Sequence, residues 1–397
     1  MTNPELSIVV VHHRGLGHLR EALEAIEAAA PRDAEILLVD NTGGTALEAA
    51  LRPSPRVCRV AAGGNVGFAA GCRLGVEAAK GGIVLFVNDD AVIDARAPEL
   101  LAAALAGPDD VVAAAGRLTD LSGRRNDFSD GFLTFDGHAF ADESGRAVEA
   151  LSPAKPGEDR LFACGALMAV RRDAFLDSGG FDDDYFAYLE DVDFGWRQWI
   201  FGRRVIAEPR AVARHRGGAT GESFGFFSRG FLFERNAFAT AFKNLDTDHF
   251  RRLMPAIFGA FLGRVAEMIS SRNPGAAELL RDPFAPAPSR RLNRLARVFG
   301  IREAEGPRVT IDDPLTVAQL RALVWIHRNR DRLAAKRRWI QTRRRRPDAD
   351  IFARFPLRIV PTYPGDEQFE SEYFRELLSA APPLVRTALS EIFEAAS

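Results

Sequence analysis

The sequence predicts an α/β fold: an αβα sandwich around a mostly parallel central sheet, followed by a mainly helical C-terminal region. Three observations predict it. Residues 1–115 alternate apolar β-branched runs with helix-period stretches. The runs are continuously apolar, as strands buried on both faces must be. Polar residues follow three of those runs directly, at the edge where open α/β sheets gather ligands.

The elements follow in order. Residues 7–11 (SIVVV) form the first strand, and Leu19, Leu23, Ile26 and Ala30 recur at helical spacing. Residues 35–39 (EILLV) form a second strand, and 57–60 a weaker third. Residues 68–80 read as a Gly/Ala-rich helix and 83–87 (IVLFV) as the fourth strand. Residues 100–105 are helical and 111–115 strand-like. Alternating strands and helices imply right-handed crossovers and a parallel sheet. Between 116 and 158 the texture is that of loops and short strands covering a site. Residues 161–170 return to strand, 172–176 and 190–202 to helix, and 203–207 to strand. From about 222 the chain is mainly helical, with a Pro-rich interruption at 273–288 and one long basic helix at 316–342.

A chain of 397 residues is long for one domain, and 47% apolar with 27% charged residues is a globular mix. That excludes disorder, collagen and a disulfide scaffold. Cys58, Cys72 and Cys164 are widely spaced and form no CxxC pair, so neither structural zinc nor a disulfide framework is indicated. No run is long enough for a transmembrane helix, and no signal peptide is evident. A reducing cytoplasm fits. The net charge of −2 conceals an uneven spread, because residues 319–346 hold eleven Lys/Arg against one Asp.

Asn88, Asp89 and Asp90 follow a wholly apolar strand. Adjacent carboxylates repel unless a cation joins them, and hard oxygen ligands suit Mg²⁺ or Mn²⁺. A solvated turn is the competing reading. Glu190, Asp191 and Asp193 open a helix after Tyr185, Phe186, Ala187 and Tyr188. Helix capping explains some acidic residues there. A carboxylate against aromatic walls also acquires a raised pKa, which suits a general base. His215 is either a metal ligand completing the Asp90 site or a structural histidine. The glycines at 64, 67 and 71 match neither GxGxxG nor a P-loop. A phosphate at the helix N-terminus and close helix–sheet packing both fit them.

Together SIVVV, VDN (39–41), GNVGFAAG (64–71), VNDD (87–90), GGFDDDYFAYLEDVDFGWR (179–197) and His215 resemble family two of the inverting glycosyltransferases. The nearest flavour is the bacterial rhamnosyltransferase-like branch, and the resemblance covers roughly residues 5–245. It implies a GT-A catalytic domain over 1–245, leaving 246–397 as a helical, basic region suited to a membrane surface or an oligomer contact. Residue by residue it implies Asp90 and His215 on a divalent metal, Mg²⁺ or Mn²⁺. It implies His13, Asp40, Asn41, Asn65, Gly67, Asn88 and Asp89 around the nucleotide-sugar, with Asp40 on the pyrimidine. Asp191 is then the base, with Glu190 beside it, and Tyr188, Asp193 and Trp196 lie on the acceptor side. Arg73 stands where the branch usually has Asn.

The implied activity is one-step transfer, with inversion, from a nucleotide-sugar to a hydroxyl of a glycan or lipid-linked glycan in cell-envelope assembly. dTDP-rhamnose is the first expected donor and a UDP-sugar the second. Residues 319–346 suit either an anionic membrane, at the inner face of the cytoplasmic membrane, or the protein's own acidic body. No nucleic-acid-binding fold accompanies that charge. A sugar-1-phosphate nucleotidyltransferase needs a Gly-rich basic loop after the first strand, which His12–Gly17 lacks. A non-catalytic scaffold has no use for the carboxylate set.

Overall fold

The structure, a computed structural model, describes residues 5–44, 47, 54–152, 154–217, 219–272 and 314–392. The Pro-rich stretch at 273–288 lies outside them.

The central sheet is built from β1 (Leu6–His12), β2 (Glu35–Asp40), β3 (Val57–Ala61), β4 (Ile83–Val87), β5 (Ala91–Ile93), β6 (Val111–Thr119), β7 (Asn126–Phe128), β10 (Asp159–Arg160), β11 (Leu167–Arg171) and β12 (Arg204–His215). Its order is β10-β12-β6-β11-β4-β1-β2-β3, with β5 added to β12 and β7 to β6. Six of the eight strands on that path share one direction, and β11 and β10 oppose them. This is the expected fold class. A separate hairpin, β8 (Gly131–Leu133) with β9 (Ala139–Ala141), lies in the region expected to cover the site.

Successive strand residues face opposite sides. Ile8, Val10, Ile36, Leu38, Leu85 and Val87 join one core cluster. Val9, Leu37, Val39, Val84 and Phe86 join the other. Both faces are buried, which explains the unbroken apolar runs. At the edge, β3 is half-exposed and correspondingly weaker in sequence.

Three expectations change. Residues 161–166 are not strand: the backbone turns where Leu167 N–H donates to Cys164 O, and only then enters β11. The strand expected at 203–207 runs on to His215. The long basic helix is two, α8 (Pro314–Arg328) and α9 (Arg330–Thr342). Asn329 separates them; its Nδ2 donates to Trp325 O, a side-chain bond that competes with helix continuation.

The basic stretch is divided as well. Lys336 reaches Asp182 and Asp184, and Arg337 donates to Phe242 O and Leu245 O. Arg344 binds Asn244 O and Asp348. These cations fix α9 to the body, whereas Arg328, Arg338, Arg343 and Arg345 are exposed. Among the described residues no helix is long and apolar enough to cross a membrane.

Candidate active site

Sheet register assembles the first half of the site. His12 sits opposite Asp40 at the C-terminal ends of β1 and β2. β5 pairs antiparallel with β12, which sets His215 opposite Ala91 and therefore beside Asp90. His215 Nε2 lies 3.1 Å from Asp90 Oδ1 and 3.3 Å from Asn88 Nδ2. Its Nδ1 lies 2.6 Å from Asp127 Oδ2. Burial disfavours charge on this imidazole, but the two carboxylates prevail and push its pKa up to about 10. Burial likewise opposes ionisation of Asp90, yet His215 holds that carboxyl below the usual range. Asp89 turns the other way, 2.6 Å from His12 Nδ1, and burial raises its pKa.

The second half is the turn into α5 (Glu190–Ile200). Phe186, Tyr188 and Leu189 have φ of 65°, 72° and 65°, a conformation costing non-glycine residues on the order of 1–3 kcal/mol each. Helix α6 (Ala219–Asn244) holds this turn. Asn236 Nδ2 donates to the carbonyls of Tyr185, Ala187 and Tyr188, and Arg235 Nη2 to those of Asp184 and Tyr185. The turn delivers Asp191 to Gly165, whose N–H donates to Asp191 Oδ2 at 2.9 Å. Val192 N–H donates to Oδ1 at 2.8 Å. Burial raises the Asp191 pKa even against these hydrogen bonds. Glu190 is raised well above the ordinary carboxyl value, first by burial and then by the neighbouring Asp191 charge. Its Oε2 is buried with no hydrogen-bond partner among the described residues.

Both halves open onto one cavity of about 310 Å³. Asn88, Asp90 and His215 line it together with Gly165, Tyr188, Glu190 and Asp191, and Phe233 and Arg229 of α6 complete the wall.

The other expected residues lie outside that lining. Asp193 is fully buried between Arg197, Lys243 and Asn244. Trp196 is 1% exposed, packs on Phe352 and donates weakly to Asp348 at 3.4 Å. Neither lines the cavity: Asp193 ties α5 to α6, and Trp196 packs α5 on the C-terminal region at Phe352 and Asp348. Asp40 accepts from Thr42 N–H and Oγ1 and from Arg59. Asn41 Nδ2 donates to Gly67 O, and its Oδ1 is buried without a partner among the described residues. His13 Nε2 lies 3.2 Å from Asn65 Nδ2, and Asn65 Oδ1 accepts from Gly67 N–H.

The glycine-rich helix α2 (Gly67–Ala78) resolves its two readings towards packing. Phe68 and Ala69 N–H donate to Phe186 O, so these groups are already engaged. A Cβ on Gly71 or Gly75 would meet Val11 or Val9 at 2.7 or 2.4 Å. Arg73 is paired with Asp183 and Glu77.

The donor set of Asp90, His215 and Asn88 fits a divalent cation. It offers a low-pKa carboxylate, an amide oxygen and, once a cation displaces the proton shared with Asp90, an imidazole nitrogen, with His215 within hydrogen-bond distance of both other side chains. A second group, Asp246, His249 and Asp348, also has ligand atoms within 4.8 Å. There the carboxylates are occupied: Asp246 and Asp348 accept each other's backbone N–H, and Arg344 binds Asp348.

The profile of the family described as "Glycosyl transferase family 2" matches residues 7–178, the segment that supplies β1, β2, β4 and the Asn88–Asp90 tip. Residues 7–178 therefore resemble a family 2 glycosyltransferase domain. The N-acetylglucosaminyl-diphospho-decaprenol L-rhamnosyltransferase of Mycobacterium tuberculosis is 29% identical to the glycosyltransferase over 245 residues, 54% of this chain and 78% of that one. GalNAc-T7 with UDP, GalNAc and Mn²⁺ gives a TM-score of 0.49 at 15% identity, covering 64% of this chain and 51% of its own. The mannosyltransferase PcManGT of Pyrobaculum calidifontis, with GDP-Man and Mn²⁺, gives 0.47 at 16% identity, covering 81% and 87%.

Sequence reasoning missed four residues of the glycosyltransferase's site. Asp127 lies in a segment without periodicity and Gly165 in one read as continuous strand, and only β7 and the turn before β11 bring them in. Asn236 and Arg229 sit on an aromatic-rich helix with no motif. A polar pair, Arg235 and Asn236, inside that apolar helix was the one available signal.

Proposed function

We propose that this glycosyltransferase moves a sugar from a nucleotide-sugar to a hydroxyl of a lipid-linked glycan, with inversion, in cell-envelope polysaccharide assembly. dTDP-rhamnose is the favoured donor and a UDP-sugar the second. One observation carries the reading: the Asp90–His215 pair and Asp191 open onto the same cavity. The similarity to a rhamnosyltransferase named for a diphospho-decaprenol acceptor supports the donor and acceptor choice.

In this reading Asp90, His215 in its deprotonated form and Asn88 would hold a divalent ion. When bound, the ion neutralises charge on the departing nucleoside diphosphate. Asp191 accepts the proton of the acceptor hydroxyl as that oxygen attacks the anomeric carbon from the far face. Gly165 and Val192 N–H aim its carboxylate, and its raised pKa makes it a stronger base. One displacement inverts the carbon, through a transition state of oxocarbenium character. Residues 1–245 form the catalytic unit and 246–397 an adjunct to it. Exposed Arg328 and Arg338, with exposed Val324, Phe258 and Leu262, support seating at the inner face of the cytoplasmic membrane.

The test is a product assay with dTDP-rhamnose and UDP-sugars against a GlcNAc-diphosphate prenyl acceptor. Free nucleoside diphosphate and an inverted glycoside are expected. Pyrophosphate release would instead point to a nucleotidyltransferase, and no turnover with bound substrates to a scaffold.

A further inference from the structure

We propose that Arg229 binds the diphosphate of the acceptor and so selects lipid-diphosphate-linked acceptors. This rests on the glycosyltransferase reading and assigns a substrate class to one wall of its cavity.

The cavity lining contains two cationic side chains, His215 and Arg229. His215 is committed to Asp90 and Asp127. Arg229 has no carboxylate partner among the described residues, and it is exposed. Other arginines of this body, among them Arg73, Arg160, Arg197, Arg204 and Arg264, meet carboxylates. A guanidinium at the cavity wall with no carboxylate beside it is open to an anionic substrate.

Its position is also defined. The Arg229 guanidinium lies 5.8 Å from the Tyr188 ring centre and 5.4 Å from that of Phe233. Those rings are 4.7 Å apart. Cation–π contact with the two rings places the guanidinium and leaves its N–H groups for a bidentate phosphate. Tyr188 directly precedes the Leu189, Glu190 and Asp191 run, so the cation belongs to the Asp191 side of the cavity. The Asp90 and His215 side comes from the strand ends.

The chemistry selects the occupant. The donor diphosphate leaves towards the Asp90 site. A sugar carried on a lipid diphosphate bears its anion on the anomeric carbon of the ring that presents the nucleophilic hydroxyl. With that hydroxyl at Asp191, the anion falls within one ring's width of it, on the same side as Arg229. A neutral glycan end would leave this guanidinium unanswered.

The experiment compares wild type, Arg229→Gln and Arg229→Lys on two acceptors. One is a short prenyl-diphosphate GlcNAc and the other the same sugar as a neutral alkyl glycoside. For Arg229→Gln the KM for the diphosphate acceptor should rise about 10- to 100-fold, the scale of a lost charge-assisted hydrogen bond. Its KM for donor should stay as in wild type, any loss on the neutral glycoside should be far smaller than that on the diphosphate acceptor, and Arg229→Lys should recover part of the loss. An equal loss on the neutral glycoside overturns the proposal. A rise in donor KM alone overturns it too, because Arg229 would then serve the donor diphosphate. If wild type transfers to neither acceptor from any donor it binds, the functional reading fails and this inference with it.

Discussion

The backbone N–H of Gly165 donates to Asp191 Oδ2 at 2.9 Å, joining the turn before β11 to the first turn of α5. A carboxylate fixed at both oxygens by backbone donors, yet raised in pKa by burial, is aimed and basic together. Asp191→Asn keeps the shape and removes the base. Its kcat should fall about 10²- to 10⁴-fold while donor binding, read by thermal shift, stays unchanged.

Glu190 should behave differently from its neighbour. Ionised Asp191 helps to hold the proton on buried Glu190, so glutamine resembles the state Glu190 already occupies. Glu190→Gln should retain most of kcat, within about tenfold. The acid limb of its pH–rate profile should not move. That limb reports Asp191, so activity falls as pH drops through a value above the ordinary aspartate range. A limb at the ordinary value would contradict the burial argument.

Asp90→Ala and His215→Ala should each abolish donor stabilisation that depends on Mg²⁺ or Mn²⁺. A thermal-shift titration of nucleotide-sugar with and without chelator checks this. Asp246→Ala should leave the chelator-sensitive shift intact, because that group's carboxylates already have protein partners.

Asn236 does not itself line the cavity, yet its amide holds three carbonyls of the turn that does. Asn236→Ala should lower kcat at least tenfold with little change in donor KM, because the turn relaxes and Asp191 moves. A loss confined to Tm, with kcat intact, would make Asn236 purely structural.

A buried ionic group at His138 predicts a stability profile. Burial opposes its charge, but Asp136 and Glu234 raise its pKa to about 9. A raised folded-state pKa stabilises fully below the ordinary histidine value and fades as pH rises through about 9. The contribution is on the order of 3 kcal/mol. Denaturant melts of wild type should weaken between those pH values, and His138→Gln should flatten that slope.

The strand ends were legible in the sequence because chemistry and pattern coincide there. Val87 ends an apolar run and Asn88 begins a polar one, so both the strand and its liganding tip are visible in one dimension. The segment at 182–193 was not legible in the same way. Its acidic residues look alike, yet Asp182, Asp184 and Asp193 hold Lys336 or Lys243, whereas Glu190 and Asp191 face the cavity.

What the sequence determined by itself was the layered fold, the strand tips and the presence of a charged cleft, because burial on both faces of a sheet writes an unbroken apolar run. Tertiary structure alone decided which charges face that cleft. The β5–β12 register brought His215 to Asp90 across 125 residues of chain. The Asn236 clamp shapes the turn that delivers Asp191 to the cavity, while Asp193, two positions on, is buried against Lys243. Such choices depend on partners distant in sequence, and no local periodicity records them.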